Sequence, residues 1–142
     1  LTDIESEKII LPEDILVSAD RSGKSGAETL PIRGVESDES ILDIGLETAK
    51  RYAKIIKNAE MVIWNGPVGL AEVEKFAQGT KIIAQAVALA SHSIIGGGDT
   101  IAAADKLGLL DKFTFVSTGG GAMLEFLAGN KLPGLEALDY YE

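Results

Sequence analysis

A three-part pattern recurs along the later part of the chain: a short apolar run, a glycine-rich turn, and a segment with helical periodicity. The strand-like runs, which are mainly apolar, are residues 61–64, 93–95 and 113–116, and the turns contain Gly66 with Gly69, residues 96–98 and residues 119–121. Repeated strand–turn–helix units are typical of α/β proteins with a parallel sheet. The pattern therefore predicts a three-layer, Rossmann-like α/β fold with a mainly parallel sheet and helices on both faces.

The flanking segments complete this prediction. Leu46, Ala49, Tyr52 and Ile56 form an apolar stripe at helical spacing. Thr80 is the expected N-cap of a second helix, and residues 99–107 and 122–127 are predicted as two more. Before Leu46, the apolar runs 9–11 and 15–17 indicate short strands separated by a turn at Pro12. Residues 20–40 are polar and rich in Gly, Pro and Ser, including Ser37, and predict a loop or irregular ribbon.

Composition excludes several functions. Thirteen Lys and Arg against twenty-two Asp and Glu give a net charge of −9 over 142 residues, which argues against binding nucleic acid or an anionic membrane through a basic face. There is no cysteine and only one histidine, so thiolate chemistry and His-rich metal sites are excluded. No apolar run reaches the ~20 residues of a membrane span, and no secretory signal is seen. A cytoplasmic, soluble protein is expected.

The three glycine turns are the strongest candidates for a binding site. Ligands of open parallel sheets bind beyond the carboxyl ends of the strands, where all three turns are predicted to lie. Helix N-termini offer free N–H groups to phosphate, and glycine permits close backbone approach. Each turn by itself is also explained by turn geometry alone. Their convergence on one edge favours phosphate binding.

Individual side chains leave two interpretations open. Asp99 follows Gly98 at a predicted helix start, so it is either a helix-capping residue or a ligand of Mg²⁺ beside a bound polyphosphate. Glu72 is either a solvated acid or an acceptor for ribose hydroxyls. Asn65 could donate its amide to phosphate, and Trp64 is expected in the core or a pocket wall.

Three further side chains have weaker claims. His92 precedes a strand with no evident acidic partner and is expected to be structural or exposed. Ser117 and Thr118 lack a neighbouring histidine in the sequence, so they are not expected to be nucleophiles, although their hydroxyls could donate to an anion.

Six segments resemble the phosphoglycerate kinase family, and they follow one another along the chain in the same order as in that family. The three glycine motifs are Trp64-Asn65-Gly66-Pro67-Val68-Gly69 with Glu72, Ile95-Gly96-Gly97-Gly98-Asp99-Thr100, and Val116-Ser117-Thr118-Gly119-Gly120-Gly121-Ala122. The others are Ile9-Ile10-Leu11-Pro12, Leu42-Asp43-Ile44-Gly45 and Leu132-Pro133-Gly134-Leu135-Glu136-Ala137-Leu138. Together they extend over essentially the whole sequence.

The resemblance implies that residues 1–142 form one partial domain, the later part of the nucleotide-binding lobe and about the last third of the family's chain. The N-terminal lobe, which holds phosphoglycerate and supplies a catalytic arginine, would lie outside it, as would the phosphate-binding lysines. The full-length enzyme is expected to be a monomer. The fragment is expected to self-associate where its sheet edge is bare, and not to turn over alone.

The resemblance also implies a reaction and its residues. The family transfers the acyl phosphate of 1,3-bisphosphoglycerate to MgADP, reversibly, giving 3-phosphoglycerate and MgATP. Gly119, Gly120 and Gly121 would face the transferred phosphoryl group, and Asp99 would meet Mg²⁺. The implied nucleotide-binding residues are Leu42 at the adenine, Asn65, Pro67, Gly69, Leu70, Glu72 at the ribose, Gly97, Gly98, Asp99 and Thr100.

Three positions depart from the family's usual pattern: Ala71 replaces a common phenylalanine, Leu46 a proline, and Glu13 an apolar residue. None removes an implied ligand contact. Two alternatives remain at this stage. One is a Rossmann-type oxidoreductase, although no Gly-x-Gly-x-x-Gly follows a strand with an acid about twenty residues on. The other is a non-catalytic module that only folds or associates.

Overall fold

The computed structural model of the chain describes residues 8–35 and 39–141, so Ser37 lies outside the described residues. These residues form two compact units. Unit 1 contains the described residues of Leu1–Lys54 with Val68–Ile83, and unit 2 contains Ile55–Pro67 with the described residues of Ala84–Glu142.

Unit 1 is built on an antiparallel sheet of β1 (Asp14–Ser18), β2 (Glu28–Pro31) and β3 (Ser40–Ile44), in the order β2-β1-β3. Ile15 and Val17 alternate along β1 into the core, where Leu42 and Phe76 are also buried. The register between β1 and β3 shifts between Leu16 and Val17. The helices α1 (Leu46–Lys57) and α2 (Gln78–Val87) begin in this unit.

Helix α1 begins where a carboxylate from β1 meets it. Asp14 accepts hydrogen bonds from the backbone N–H groups of Thr48 at 2.7 Å and Glu47 at 3.2 Å, which satisfies donors at the helix start. Burial acts to raise the pKa of Asp14, but the hydrogen bonds from Thr48 and Glu47 outweigh it and lower the pKa below its ordinary value. The cap therefore favours the ionised carboxylate.

Unit 2 contains a parallel sheet of β4 (Met61–Asn65), β5 (His92–Gly96) and β6 (Phe115–Ser117), in that order. Its helices are α3 (Gly98–Lys106), α4 (Gly120–Leu127) and the short α5 (Pro133–Glu136). Trp64 and Ile95 are buried, and the Trp64 and Phe113 rings lie 6.4 Å apart. The α/β class and its parallel strand–turn–helix pattern are thus confirmed.

Three sequence-based expectations differ from the structure. Residues 9–11 form no strand and are exposed. The predicted loop 20–40 contains β2, whose mostly exposed residues at the sheet edge give no apolar alternation to detect. Thr80 is not an N-cap, because α2 begins at Gln78 and the Thr80 hydroxyl instead accepts the N–H groups of Val68 and Gly69 at 3.2 and 3.3 Å.

Candidate functional site

The three glycine turns of unit 2 lie at one edge of the parallel sheet. In the strand register, Asn65 at the end of β4 pairs with Gly96 at the end of β5, and Gly96 pairs with Ser117 at the end of β6. The carboxyl ends of the strands are therefore level, and the turns that follow them emerge together. The convergence expected from the sequence is confirmed.

The starts of α3 and α4 also come together there. A Cβ at Gly120 would lie 2.6 Å from both the Cα and the nitrogen of Gly97, so the two backbones touch. Gly97 has a φ of 90°, which favours glycine at the turn into α3. Neither helix start has a side-chain cap, since Gly97 and Gly119 are the N-cap residues. Two adjacent sets of backbone N–H groups are consequently available to an anion.

Two polar side chains bind the turns to one another. The Asn65 amide donates to the carbonyl oxygen of Gly120 at 3.1 Å. The hydroxyl of Thr100, which is fully buried, accepts the backbone N–H of Gly66 at 2.7 Å. The Trp64 indole donates to the carbonyl of Gly66 at 2.8 Å. Asn65 and Thr100, expected from the sequence as phosphate contacts, thus join the end of β4 to the starts of α4 and α3, which no local sequence pattern indicates.

The glycines of these turns divide into two kinds. A Cβ at Gly96 would lie 2.6 Å from the Met123 methyl, and one at Gly120 would strike Gly97, so packing alone requires glycine at both positions. At Gly98 and Gly121 a Cβ would meet no atom within 4 Å, and neither has a positive φ. Packing within the chain does not explain glycine at those two positions, both of which are exposed.

Asp99 lies in the first turn of α3, and its side chain is exposed. Within the described residues its carboxylate has no hydrogen-bond partner, and no group of three or more acidic or histidine side chains could hold a metal ion. Mg²⁺ bound with polyphosphates needs only one or two protein carboxylates, with phosphate and water oxygens completing the shell. A free carboxylate beside two uncapped helix starts fits that ion.

The predicted residues fall into two sets, one in each unit. We call Asn65, residues 97–100 and residues 119–121, all in unit 2, the phosphate set. We call Leu42, Gly69, Leu70 and Glu72, all in unit 1, the nucleoside set. Pro67, half-buried, lies at the end of the first segment of unit 2.

Within the nucleoside set, the backbone of Leu70 donates to the carbonyl of Leu42 at 2.8 Å, which joins the segment 68–79 to β3. The Leu42 side chain is buried at 4% exposure, whereas Glu72 is exposed. Gly69 lies against β3, because a Cβ there would be 2.3 Å from an oxygen of Asp43. The structure thus brings Leu42, Gly69 and Leu70 together and leaves the Glu72 side chain facing solvent.

Asp43 was not among the predicted site residues. Its carboxylate is 1% exposed and accepts the backbone N–H groups of Gly79 and Ile44, each at 2.8 Å. Burial raises the pKa of Asp43 above its ordinary value, against the lowering effect of those hydrogen bonds. The only sequence signal was an acidic residue between the apolar Leu42 and Ile44.

His92 and Trp64 lie in the environments that the sequence predicted for them. His92 is exposed, and its Nδ1 lies 3.4 Å from the carbonyl oxygen of Glu60. Trp64 is in the core of unit 2.

None of the helices in the described part of the chain is both long and apolar enough to cross a membrane.

Fold and site together define the class of this protein: a Rossmann-like α/β protein whose parallel sheet gathers glycine turns and uncapped helix starts at its carboxyl edge. A model of the phosphoglycerate kinase family matches residues 2–130. The chain belongs to the phosphoglycerate kinase family.

Two solved structures are similar to this chain. The phosphoglycerate kinase from Coxiella burnetii is 48% identical with a TM-score of 0.83, and the match covers 89% of this chain and 33% of that one. The phosphoglycerate kinase from Pyrococcus horikoshii OT3 is 38% identical with a TM-score of 0.76, covering 90% of this chain and 32% of that one. This chain therefore spans about a third of the length of these kinases. The family favours a kinase over the oxidoreductase alternative.

Proposed function

We propose that this chain supplies the nucleotide side of a glycolytic phosphoglycerate kinase of the cytoplasm. The reaction is the reversible transfer of the acyl phosphate of 1,3-bisphosphoglycerate to MgADP, giving 3-phosphoglycerate and MgATP. The site for phosphoglycerate belongs to sequence beyond this third of the family's length. The chain alone binds nucleotide and does not complete the transfer.

The phosphate set binds the phosphates of ADP or ATP. Gly97 and Gly98 present backbone N–H groups at the start of α3, and Gly119, Gly120 and Gly121 do so at the start of α4. Such preorganised donors stabilise negative charge on phosphate oxygens without having to reorient during the transfer. Asn65 has a second amide hydrogen beyond the one donated to Gly120. Thr100 is fully buried, so its side chain supports the phosphate set through the hydrogen bond that its hydroxyl accepts from Gly66.

The Asp99 carboxylate holds Mg²⁺, either directly or through water. When bound there with nucleotide, the ion neutralises charge that develops on the phosphate oxygens. In the nucleoside set, Glu72 accepts the ribose hydroxyls, Leu42 borders the adenine, and Gly69 and Leu70 line the nucleoside. These roles rest on the motifs shared with the family.

The observation that carries this proposal is the backbone contact between Gly97 and Gly120. It brings two helix starts without side-chain caps to the carboxyl edge of a parallel sheet, beside the unpaired carboxylate of Asp99. For the isolated turns, simple turn geometry would be a sufficient explanation. Adjacent positive helix ends whose N–H groups have no side-chain cap favour a polyphosphate ligand.

Calorimetric titration with ADP, with and without Mg²⁺, tests the proposal, with NAD as a comparison ligand. We expect ADP to bind, binding to strengthen when Mg²⁺ is present, and NAD not to bind. Far-UV circular dichroism on the same sample confirms that the chain is folded. A folded chain that takes up no ADP contradicts nucleotide binding by this chain and supports the non-catalytic module. Binding of NAD in place of ADP supports the oxidoreductase.

A further inference from the structure

The segment 68–79 of unit 1 carries Gly69, Leu70 and Glu72, and it is not itself part of the antiparallel sheet. Apart from a single 3₁₀ turn at Glu74–Phe76, it has no regular structure before α2 begins at Gln78. Its conformation must therefore be fixed by bonds to other parts of unit 1. Backbone N–H groups of the segment are accepted by three groups: the Thr80 hydroxyl, the Leu42 carbonyl and the Asp43 carboxylate. The Lys75 side chain also donates to the Ser25 carbonyl at 2.7 Å, in the middle of the segment.

These three groups hold the segment at both ends. At its start, Thr80 accepts the N–H groups of Val68 and Gly69, and Leu42 accepts that of Leu70. At its end, one Asp43 oxygen accepts the N–H of Gly79 while the other accepts that of Ile44 on its own strand. The carboxylate therefore joins β3 to the first turn of α2.

Asp43 also touches the start of the segment. A Cβ at Gly69 and a Cβ at Gly79 would each lie 2.3 Å from the same Asp43 oxygen, so both glycines pack directly on the carboxylate. Burial of a carboxylate is costly unless its oxygens are satisfied, and here both accept backbone N–H groups. The satisfied carboxylate therefore lies against both ends of the segment.

We propose that Asp43 is a positioning residue that holds segment 68–79 so that Gly69, Leu70 and Glu72 are presented to a nucleoside. This inference rests on the proposed function, because it takes the nucleoside set to bind the adenosine part of ADP. Asp43 itself touches no ligand. It acts through Gly79 and Gly69, and its loss affects the nucleoside contacts and not the phosphate contacts, which belong to unit 2.

The test compares Asp43→Asn with Asp14→Asn in the 142-residue chain. Both are acids of unit 1 that accept backbone N–H groups, but Asp14 holds the start of α1 and not the segment 68–79. The amide of Asp43→Asn turns a donor toward one of the two backbone N–H groups, which then loses its acceptor. The readouts are hydrogen exchange at the amides of Val68, Gly69, Leu70 and Gly79, and calorimetric affinities for ADP and for pyrophosphate.

For Asp43→Asn we expect faster exchange at those amides, ADP affinity weakened about tenfold, and pyrophosphate affinity unchanged. Asp14→Asn should leave the exchange at those amides and the affinities for ADP and pyrophosphate unaltered. Equal weakening for ADP and pyrophosphate, or exchange no faster than in Asp14→Asn, overturns the proposal. If the unaltered chain binds no ADP, the proposed function fails, and exchange at the four amides still decides whether Asp43 holds the segment.

A second pair of variants covers the case in which Asp43→Asn does not fold. Thr80→Val removes the acceptor at the start of the segment, and Thr80→Ser retains it. We expect Thr80→Val to reproduce the faster exchange and the selective loss of ADP affinity, and Thr80→Ser to restore both. Indistinguishable behaviour of the two Thr80 variants contradicts positioning through these bonds.

Discussion

Asp99 is the residue at which a structural and a functional role are most sharply opposed. Its place in the first turn of α3 suits a carboxylate electrostatically, and this interaction is worth about 0.3–1 kcal/mol. The N-cap position itself belongs to Gly97, so Asp99 is not the capping residue. An exposed acid that accepts no hydrogen bond in the described residues contributes little else to folding.

We therefore expect Asp99→Asn to abolish the strengthening of ADP binding by Mg²⁺ while lowering the free energy of unfolding by no more than about 1 kcal/mol. ADP titrations with and without Mg²⁺, together with thermal unfolding, measure both quantities. Asp105→Asn is the matched control, because Asp105 is an exposed acid near the other end of the same helix. A large loss of stability with unaltered dependence on Mg²⁺ would show that Asp99 only supports the helix.

The starts of α3 and α4 are the elements on which the proposed phosphate binding depends, and two glycine substitutions separate packing from ligand approach. Gly98→Ala places a methyl group where no atom of the chain lies within 4 Å, whereas Gly120→Ala places one 2.6 Å from Gly97. We expect Gly98→Ala to retain or raise stability, by up to about 1 kcal/mol, and to weaken pyrophosphate binding. Gly120→Ala should destabilise the chain by about 1–3 kcal/mol.

Chemical unfolding and pyrophosphate titration of the two variants provide the measurements. If Gly98→Ala binds pyrophosphate as well as the unaltered chain does, glycine at this position reflects turn geometry alone. If Gly120→Ala is as stable as the unaltered chain, the close approach of the two helix starts is not what requires glycine there.

The elements that the sequence predicted well are those with a strong local signal. Buried strands such as β5, followed directly by glycine, and the apolar stripe of α1 beginning at Leu46 were located to within a residue or two. Strand β2 was missed because pairing with β1, and not its own apolar pattern, makes it a strand. Residues 9–11 were wrongly assigned because an apolar run does not form a strand without a partner to pair with.

The candidate site was predictable to a different degree in its two parts. The turns of the phosphate set follow from glycines placed after strands, and the register confirms that they converge. The bonds from Asn65 to Gly120 and from Thr100 to Gly66 connect residues far apart in sequence, so no local pattern could reveal them. Asp43 was missed for the same reason, since its partner Gly79 is 36 positions away.

At the scale of the whole molecule, catalysis requires more than a nucleotide site. Transfer of a phosphoryl group depends on holding donor and acceptor in line, which contributes much of the rate enhancement. This chain spans 33% and 32% of the two similar kinases. We propose that the site for phosphoglycerate lies outside that third. The residues proposed here bind and orient only the nucleotide.

We therefore expect the purified 142-residue chain to form no ATP from ADP and 1,3-bisphosphoglycerate above the uncatalysed rate. A luminescent ATP assay provides the measurement, on samples whose ADP binding has been confirmed by titration so that inactivity cannot reflect unfolding. Asp99→Asn, prepared identically, serves as the control for contaminating kinase, because a contaminant would persist in both preparations. ATP formation that increases with chain concentration and is lost in Asp99→Asn would mean that these residues alone assemble a complete site.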